Sequence, residues 1–130
     1  ASRIHVAAVS MEDREVNATV VNAVQRVSSV VTQRSLIEAF GLTVAEAMWK
    51  KAPVVASAVG GIRDQIDDGV DGVLVDPADG LAWAEAVRDL LLFPERAQEM
   101  GLAAHEAVRR EFLSNRHLQD LLQIVADLVG

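Results

Sequence analysis

The sequence predicts an α/β domain in which a parallel sheet carries helices on both faces. Three observations predict it. Short apolar runs alternate with stretches of helical periodicity along the chain, the pattern of strand–helix–strand units. The inner strand candidates, Val30-Val31 and Val54-Val55-Ala56, are continuously apolar, as strands buried on both faces are. The 130 residues suit one domain, and half of them are hydrophobic, enough for a core.

The elements follow in order. Ile4-His5-Val6-Ala7-Ala8-Val9 reads as a first strand. After the charged loop Met11-Glu12-Asp13-Arg14, a helix places Val16, Val20, Ala23, Val24 and Val27 on one inward face. Its acidic start and Arg26 near its end suit the helix dipole. Ser28 to Thr32 is the second strand. A loop rich in polar residues leads to a helix from Thr43 to Lys50, where Thr43 and Glu46 have capping-box spacing. Pro53 opens the strand Val54-Val55-Ala56-Ser57, with no ladder donor lost at the first position.

The Val59-Gly60-Gly61-Ile62 turn enters a short helix around Arg63 to Asp67. Asp68-Gly69-Val70-Asp71-Gly72 is turn chemistry before the strand Val73-Leu74-Val75. Asp76 to Asp79 caps a helix with Leu81, Ala84, Val87 and Leu91 inward. Pro94 starts the next, with Ala97, Met100, Ala104 and Val108 inward. Ser114 or Asn115 caps a last helix with Leu118, Leu121, Leu122, Val125 and Leu128 inward.

The net charge of −7 excludes a basic nucleic-acid face and charge-driven attachment to acidic membranes. No apolar run approaches the ~20 residues of a membrane span. Without cysteines there is neither a disulfide framework nor a thiolate metal site, and the three histidines lack metal-ligand spacing, so no metal site is expected. The default location is cytoplasmic. The chain starts almost inside an apolar strand and without an initiator Met, which reads as an excised, partial domain.

A phosphate site on so acidic a chain has to be local, built from backbone N–H groups. Strand, glycine turn and helix N-terminus occur in that order around Glu38-Ala39-Phe40-Gly41-Leu42-Thr43-Val44-Ala45-Glu46. Glu46 has two readings: a capping-box acceptor, or a bidentate acceptor for a vicinal diol. Glu38 precedes the turn, at the carboxyl edge of the sheet where ligands of such folds bind. A carboxylate beside a phosphate site is repelled unless it accepts hydrogen bonds from sugar hydroxyls or stabilises an oxocarbenium-like centre. Gly41 permits close backbone approach or is simply a turn residue. Phe40 is a ligand neighbour or core. Gly60-Gly61 lacks the third glycine of the dinucleotide fingerprint. Arg34, Arg63, Lys50 and Lys51 read as surface charges, and Trp49 and Trp83 as packing anchors.

The run Ser35-Leu36-Ile37-Glu38-Ala39-Phe40-Gly41-Leu42-Thr43-Val44-Ala45-Glu46-Ala47-Met48 resembles the E-x7-E motif of retaining glycosyltransferases of the GT-B fold. Pro53 to Ser57 followed by Val59-Gly60-Gly61-Ile62 resembles that family's next run, and Asp68-Gly69, Gly72 and Leu74-Val75 match too. The likeness covers residues 28 to 110 or so. It implies the Rossmann-like C-terminal, nucleotide-sugar-binding lobe, incomplete at its N-terminal end, as a single partial domain over 1–130. More narrowly, Arg14 to Ala18, Gln25-Arg26, Gln33-Arg34-Ser35 and Glu46 to Lys50 resemble the branch of trehalose glycosyltransferring synthases.

The resemblance implies roles. Glu38, as catalytic residue, faces the donor glucose. Phe40, Gly41, Leu42 and Thr43 hold sugar and diphosphate, Glu46 binds the ribose, and Gly60 and Gly61 flank the site. It implies a nucleoside-diphosphate glucose as donor, no tightly bound cofactor, and glucose as acceptor on an N-terminal lobe that these residues do not include. The family's Arg and Lys diphosphate clamp also precedes them, so the piece alone is expected to be inactive, and its cut surface offers a homodimer contact. Ala39 stands where Gly is usual, a mild change if no positive φ is needed there. Arg63-Asp64 replaces a frequent Pro-Glu and receives no role. Two alternatives remain: a retaining transferase with another donor or acceptor, and a non-catalytic nucleotide-binding or interaction module.

Overall fold

The computed structural model describes residues 4–9, 12–113 and 123. Helix α1 spans Arg14–Val27, with the Asp13 carboxylate accepting from the backbone N–H groups of Glu15 and Val16 at 3.1 and 3.0 Å. Strand β1 (Val31–Gln33), α2 (Leu42–Trp49), β2 (Val54–Ser57), α3 (Ile62–Gln65) and β3 (Val73–Val75) follow. Helix α4 (Gly80–Leu92) is capped by Asp79, which accepts from the Ala82 N–H at 2.9 Å, and α5 runs from Pro94 to Glu111. The last helix expected from the sequence lies outside the described residues.

The strands form one parallel sheet in the order β1-β2-β3, with Val31 opposite Val54 and Val55 opposite Val73. All three carboxyl ends therefore share one edge. Side chains of β2 alternate between faces. Val54 and Ala56 meet Val44, Met48, Ile62, Ala104 and Val108, while Val55 meets Trp83, Leu90, Ala97 and Met100. Helix α2 and the end of α5 thus cover one face, and α4 with the start of α5 covers the other. This is the α/β layering expected from the alternating pattern.

Several expectations change. Residues 4–9 form no strand: no partner ladder reaches them among the described residues, and Ile4 and Val6 are 79% and 93% exposed. The second strand begins at Val31 rather than Ser28, because both the N–H and Oγ of Ser28 close α1 on the Val24 carbonyl. Pairing then starts where the Val31 N–H meets the Pro53 carbonyl at 2.9 Å. The short helix likewise starts at Ile62, one residue before the predicted Arg63.

The valine face of α1 points outward. The helix instead buries Gln25, whose amide donates to the Thr43 carbonyl at 3.5 Å and accepts from the Lys50 ammonium. Helix α4 is rotated from the expected face. Trp83 and Leu90 are buried, Val87 is partly so, and Leu81, Ala84 and Leu91 are exposed. Trp83 sets this rotation, since its indole N–H reaches the Asp76 carbonyl at 3.1 Å. In α5 all four predicted inward residues are buried.

Candidate functional site

The site is built by two loops in backbone contact. One runs from Arg34 to Gly41 between β1 and α2, the other from Ala58 to Gly61 between β2 and α3. The Gly61 N–H donates to the Ala39 carbonyl at 3.2 Å. A Cβ on Gly60 would stand 1.8 Å from the Glu38 carbonyl oxygen, and one on Gly61 would stand 2.3 Å from that of Ala39. Glycine is required at both places because main chain lies where a side chain would go. The sequence identified this turn and set it beside the site, but carried no sign of its backbone contact with the first loop.

Gly41 ends the first loop as the N-cap of α2, at φ 81°. Its missing Cβ also leaves room for Ile62 Cγ1, 2.8 Å from where that carbon would be. The left-handed conformation and the contact each favour glycine. Ala39 is not among the residues at positive φ, so its difference from the family's glycine brings no backbone strain.

The helix start is open. The first intrahelical bonds run from the Val44 and Ala45 N–H groups to the Gly41 carbonyl at 3.0 and 3.2 Å. The N–H groups of Leu42 and Thr43 precede them. No side chain caps this end, and no acidic residue occupies the first turn. The expected Thr43–Glu46 capping box is therefore not formed: the cap falls on Gly41, which puts Thr43 inside the helix rather than at its mouth. Glu46 is consequently not held as a cap. It lies three and four residues beyond Thr43 and Leu42, on their face of the helix, with its Cα–Cβ bond tilted back toward the N-terminus. Uncapped N–H groups at the positive end of the dipole form an anion-binding arrangement.

Glu38 is half-buried and sits on the loop beside this helix start. A short chain of polar contacts holds it: the Gln33 amide donates to Ser35 Oγ at 2.9 Å, and Ser35 Oγ donates to Glu38 Oε2 at 3.4 Å. This is a side-chain brace within the loop, with no helix following directly. Phe40 is not core. Its ring is half exposed and meets Phe112 edge-on at 6.0 Å, while its carbonyl accepts from the Gln65 amide. Gln65 is buried, and no sequence signal marked it.

Glu38, Phe40, Gly41, Leu42, Thr43, Gly60 and Gly61 thus gather on the carboxyl edge of the sheet, with Glu46 one turn into α2. Arg34, Arg63 and Lys51 are exposed, as expected of surface charges, and several of the cations are held by specific partners. Arg34 is bound to the Pro77 carbonyl, Arg63 donates to the Ala58 carbonyl at 2.6 Å, and Lys50 is held by Gln25. Trp83 is a buried anchor as expected. Trp49 stays half exposed and stacks on His105, with ring centroids 4.5 Å apart. Among the described residues no group of three or more His, Asp or Glu could hold a metal ion, and no helix is long and apolar enough to cross a membrane.

Residues 14–107, which include every candidate site residue named above, match the family described as glycosyl transferases group 1. The chain belongs to the glycosyl transferase group 1 family. Among the relatives of this group 1 chain is the trehalose synthase of Pyrococcus horikoshii, 49% identical over 115 residues, which are 88% of the chain and 27% of the relative. A D-inositol 3-phosphate glycosyltransferase of Xylanimonas cellulosilytica is 46% identical over 85 residues, 65% of the chain and 20% of the relative. The group 1 chain thus spans about a quarter of the length of the trehalose synthase that it matches.

Among solved structures, a sucrose-phosphate synthase from Thermosynechococcus elongatus superposes with a TM-score of 0.74 at 31% identity, covering 88% of the group 1 chain and 28% of that structure. The structural neighbours are GT-B glycosyltransferases, in agreement with the fold class read from the sequence.

Proposed function

We propose that this chain is the donor-binding lobe of a retaining glycosyltransferase that moves glucose from a nucleoside-diphosphate glucose to glucose, forming trehalose. The observation that carries the reading is the uncapped start of α2, with Glu38 on the loop before it and Glu46 one turn in. The trehalose synthase relative supports the choice of sugar and acceptor. The N–H groups of Leu42 and Thr43 and the helix dipole stabilise the leaving diphosphate as its charge grows. Glu38 accepts from a hydroxyl of the donor glucose and offsets positive charge at the anomeric carbon. Glu46 accepts from the ribose diol. Leaving group and acceptor share one face of the sugar, which retains the anomeric configuration without a protein nucleophile. The acceptor site and the cations that complete the diphosphate site are assigned to other parts of the full-length relatives, of which this chain matches about a quarter, so the 130 residues alone bind donor weakly and transfer nothing.

The test is an assay of the natural gene product with several nucleoside-diphosphate glucoses and with glucose, the product identified by nuclear magnetic resonance. Trehalose formation is expected. Glu38→Gln lowers kcat by about 100-fold or more, as loss of one transition-state contact does. Glu46→Ala raises the KM for the donor by roughly tenfold with a smaller effect on kcat. A second reading, transfer to an inositol phosphate, is favoured by the D-inositol 3-phosphate glycosyltransferase relative. It is supported instead if that acceptor is used and glucose is not. Tight donor binding by the 130-residue chain in calorimetry contradicts the division of labour proposed here.

A further inference from the structure

We propose that Arg34 is a positioning residue that holds the Glu38 loop in register by pinning its first residue to the turn after β3. The guanidinium uses two donors on one acceptor: Nε and Nη2 meet the Pro77 carbonyl at 3.0 and 2.8 Å. It also lies 5.8 Å from the centre of the Trp83 ring, within cation–π range.

The turn it grips is rigid for independent reasons. The Trp83 indole N–H holds the Asp76 carbonyl at 3.1 Å, and Trp83 is buried. The Asp76 carboxylate accepts from the Ala78 N–H at 2.8 Å, and its carbonyl accepts from the Asp79 N–H at 3.0 Å. Arg34 is therefore tied to a fixed point on α4 and β3.

The loop itself has little else to fix its entry. Leu36 and Ile37 are 78% and 91% exposed and contribute no core packing. At the far end Ala39 and Phe40 are held by the Gly61 N–H and the Gln65 amide. At the near end the restraints are Arg34 and the Gln33–Ser35–Glu38 chain. Because Arg34 lies between Gln33 and Ser35, a shift of Arg34 passes through Ser35 to the Glu38 carboxylate. A lysine can place only one ammonium on the same carbonyl, so the fork is what arginine adds.

The kinetic arm of this inference rests on the proposed glucosyl transfer; the structural arm does not. Amide hydrogen exchange is measured on the natural gene product, wild type against Arg34→Ala. The Gly61 amide, which donates to the Ala39 carbonyl across the two loops, is expected to exchange roughly tenfold faster, with the amides of β2 unchanged. The same substitution lowers kcat by about 100-fold, the size of effect an ångström of misplacement has. The donor KM moves by less than about threefold, and Arg34→Lys recovers part of the loss in kcat. Unchanged loop exchange overturns the proposal. So does a raised donor KM at undiminished kcat, which would make the guanidinium a direct donor contact. Should Arg34→Ala fail to fold, Arg34→Met keeps the packing of the stem without a donor for Pro77 and is read the same way. A wild-type protein with no transferase activity overturns the proposed reaction, and the brace is then decided by exchange alone.

Discussion

At the scale of single residues, the site depends on side chains that are absent. Gly60 and Gly61 admit the carbonyls of Glu38 and Ala39 into the space a Cβ would fill. Gly61→Ala is expected to force the two loops apart and lower stability by about 1–3 kcal/mol, the usual cost of overpacking. A fall in the urea midpoint at constant slope measures it. The sequence announced these residues as a turn and could not announce what they touch, because the contact partner lies some twenty residues away on another loop. Of the two readings of Glu46, the cap fails for a related reason. The spacing of Glu46 from Thr43 fits a capping box, but the cap position falls on the left-handed Gly41, two residues earlier in the chain. Thr43→Ala should therefore change stability by less than about 0.5 kcal/mol. Asp13→Ala removes a formed cap and should cost about 1 kcal/mol in the same denaturation experiment.

At the scale of elements, periodicity located helices better than it oriented them. Helix α5 was legible down to its inward residues, because Ala97, Met100, Ala104 and Val108 form the one apolar stripe it has. In α4 two stripes compete, and the hydrogen bond available to the Trp83 indole decides between them. In α1 the valines lost to Gln25, which finds one partner on α2, Thr43, and one at its C-cap, Lys50.

The turn between α3 and β3 adds a pH dependence. Asp71 is buried, and this burial raises its carboxyl above the ordinary 3.8, outweighing the hydrogen bond it accepts from the Asp67 N–H at 2.8 Å. The folded chain thus holds a proton on Asp71 more readily than the unfolded chain. The resulting stability is present below the ordinary value and lost as pH rises through the folded one. Thermal melts taken upward in pH from the ordinary value of 3.8 should show this downward contribution, and Asp71→Asn should remove it while keeping an acceptor for Asp67.

At the scale of the whole molecule, α5 binds the two faces of the sheet into one unit. Its early residues pack with Val55 and Trp83, and its later ones with Val54 and Met48. Gly101 lets it pass α2 closely, since a Cβ there would lie 2.1 Å from the Lys51 carbonyl. The two faces should therefore unfold together. Trp83 reports one face and Trp49, stacked on α5 through His105, reports the other. Fluorescence of Trp49→Phe and Trp83→Phe variants should give equal denaturation slopes, each with a single transition matched by circular dichroism. The order of strands and helices was legible in the sequence because each strand is a short apolar run between turns. The grip of Arg34 on Pro77 was not, because it joins two loops that are distant in sequence. The uncapped start of α2 has a consequence for evolvability. A cradle made of main-chain amides is indifferent to most side-chain replacements around it. Exposed neighbours such as Leu36 and Ile37 can drift while the main-chain arrangement at the helix start stays intact.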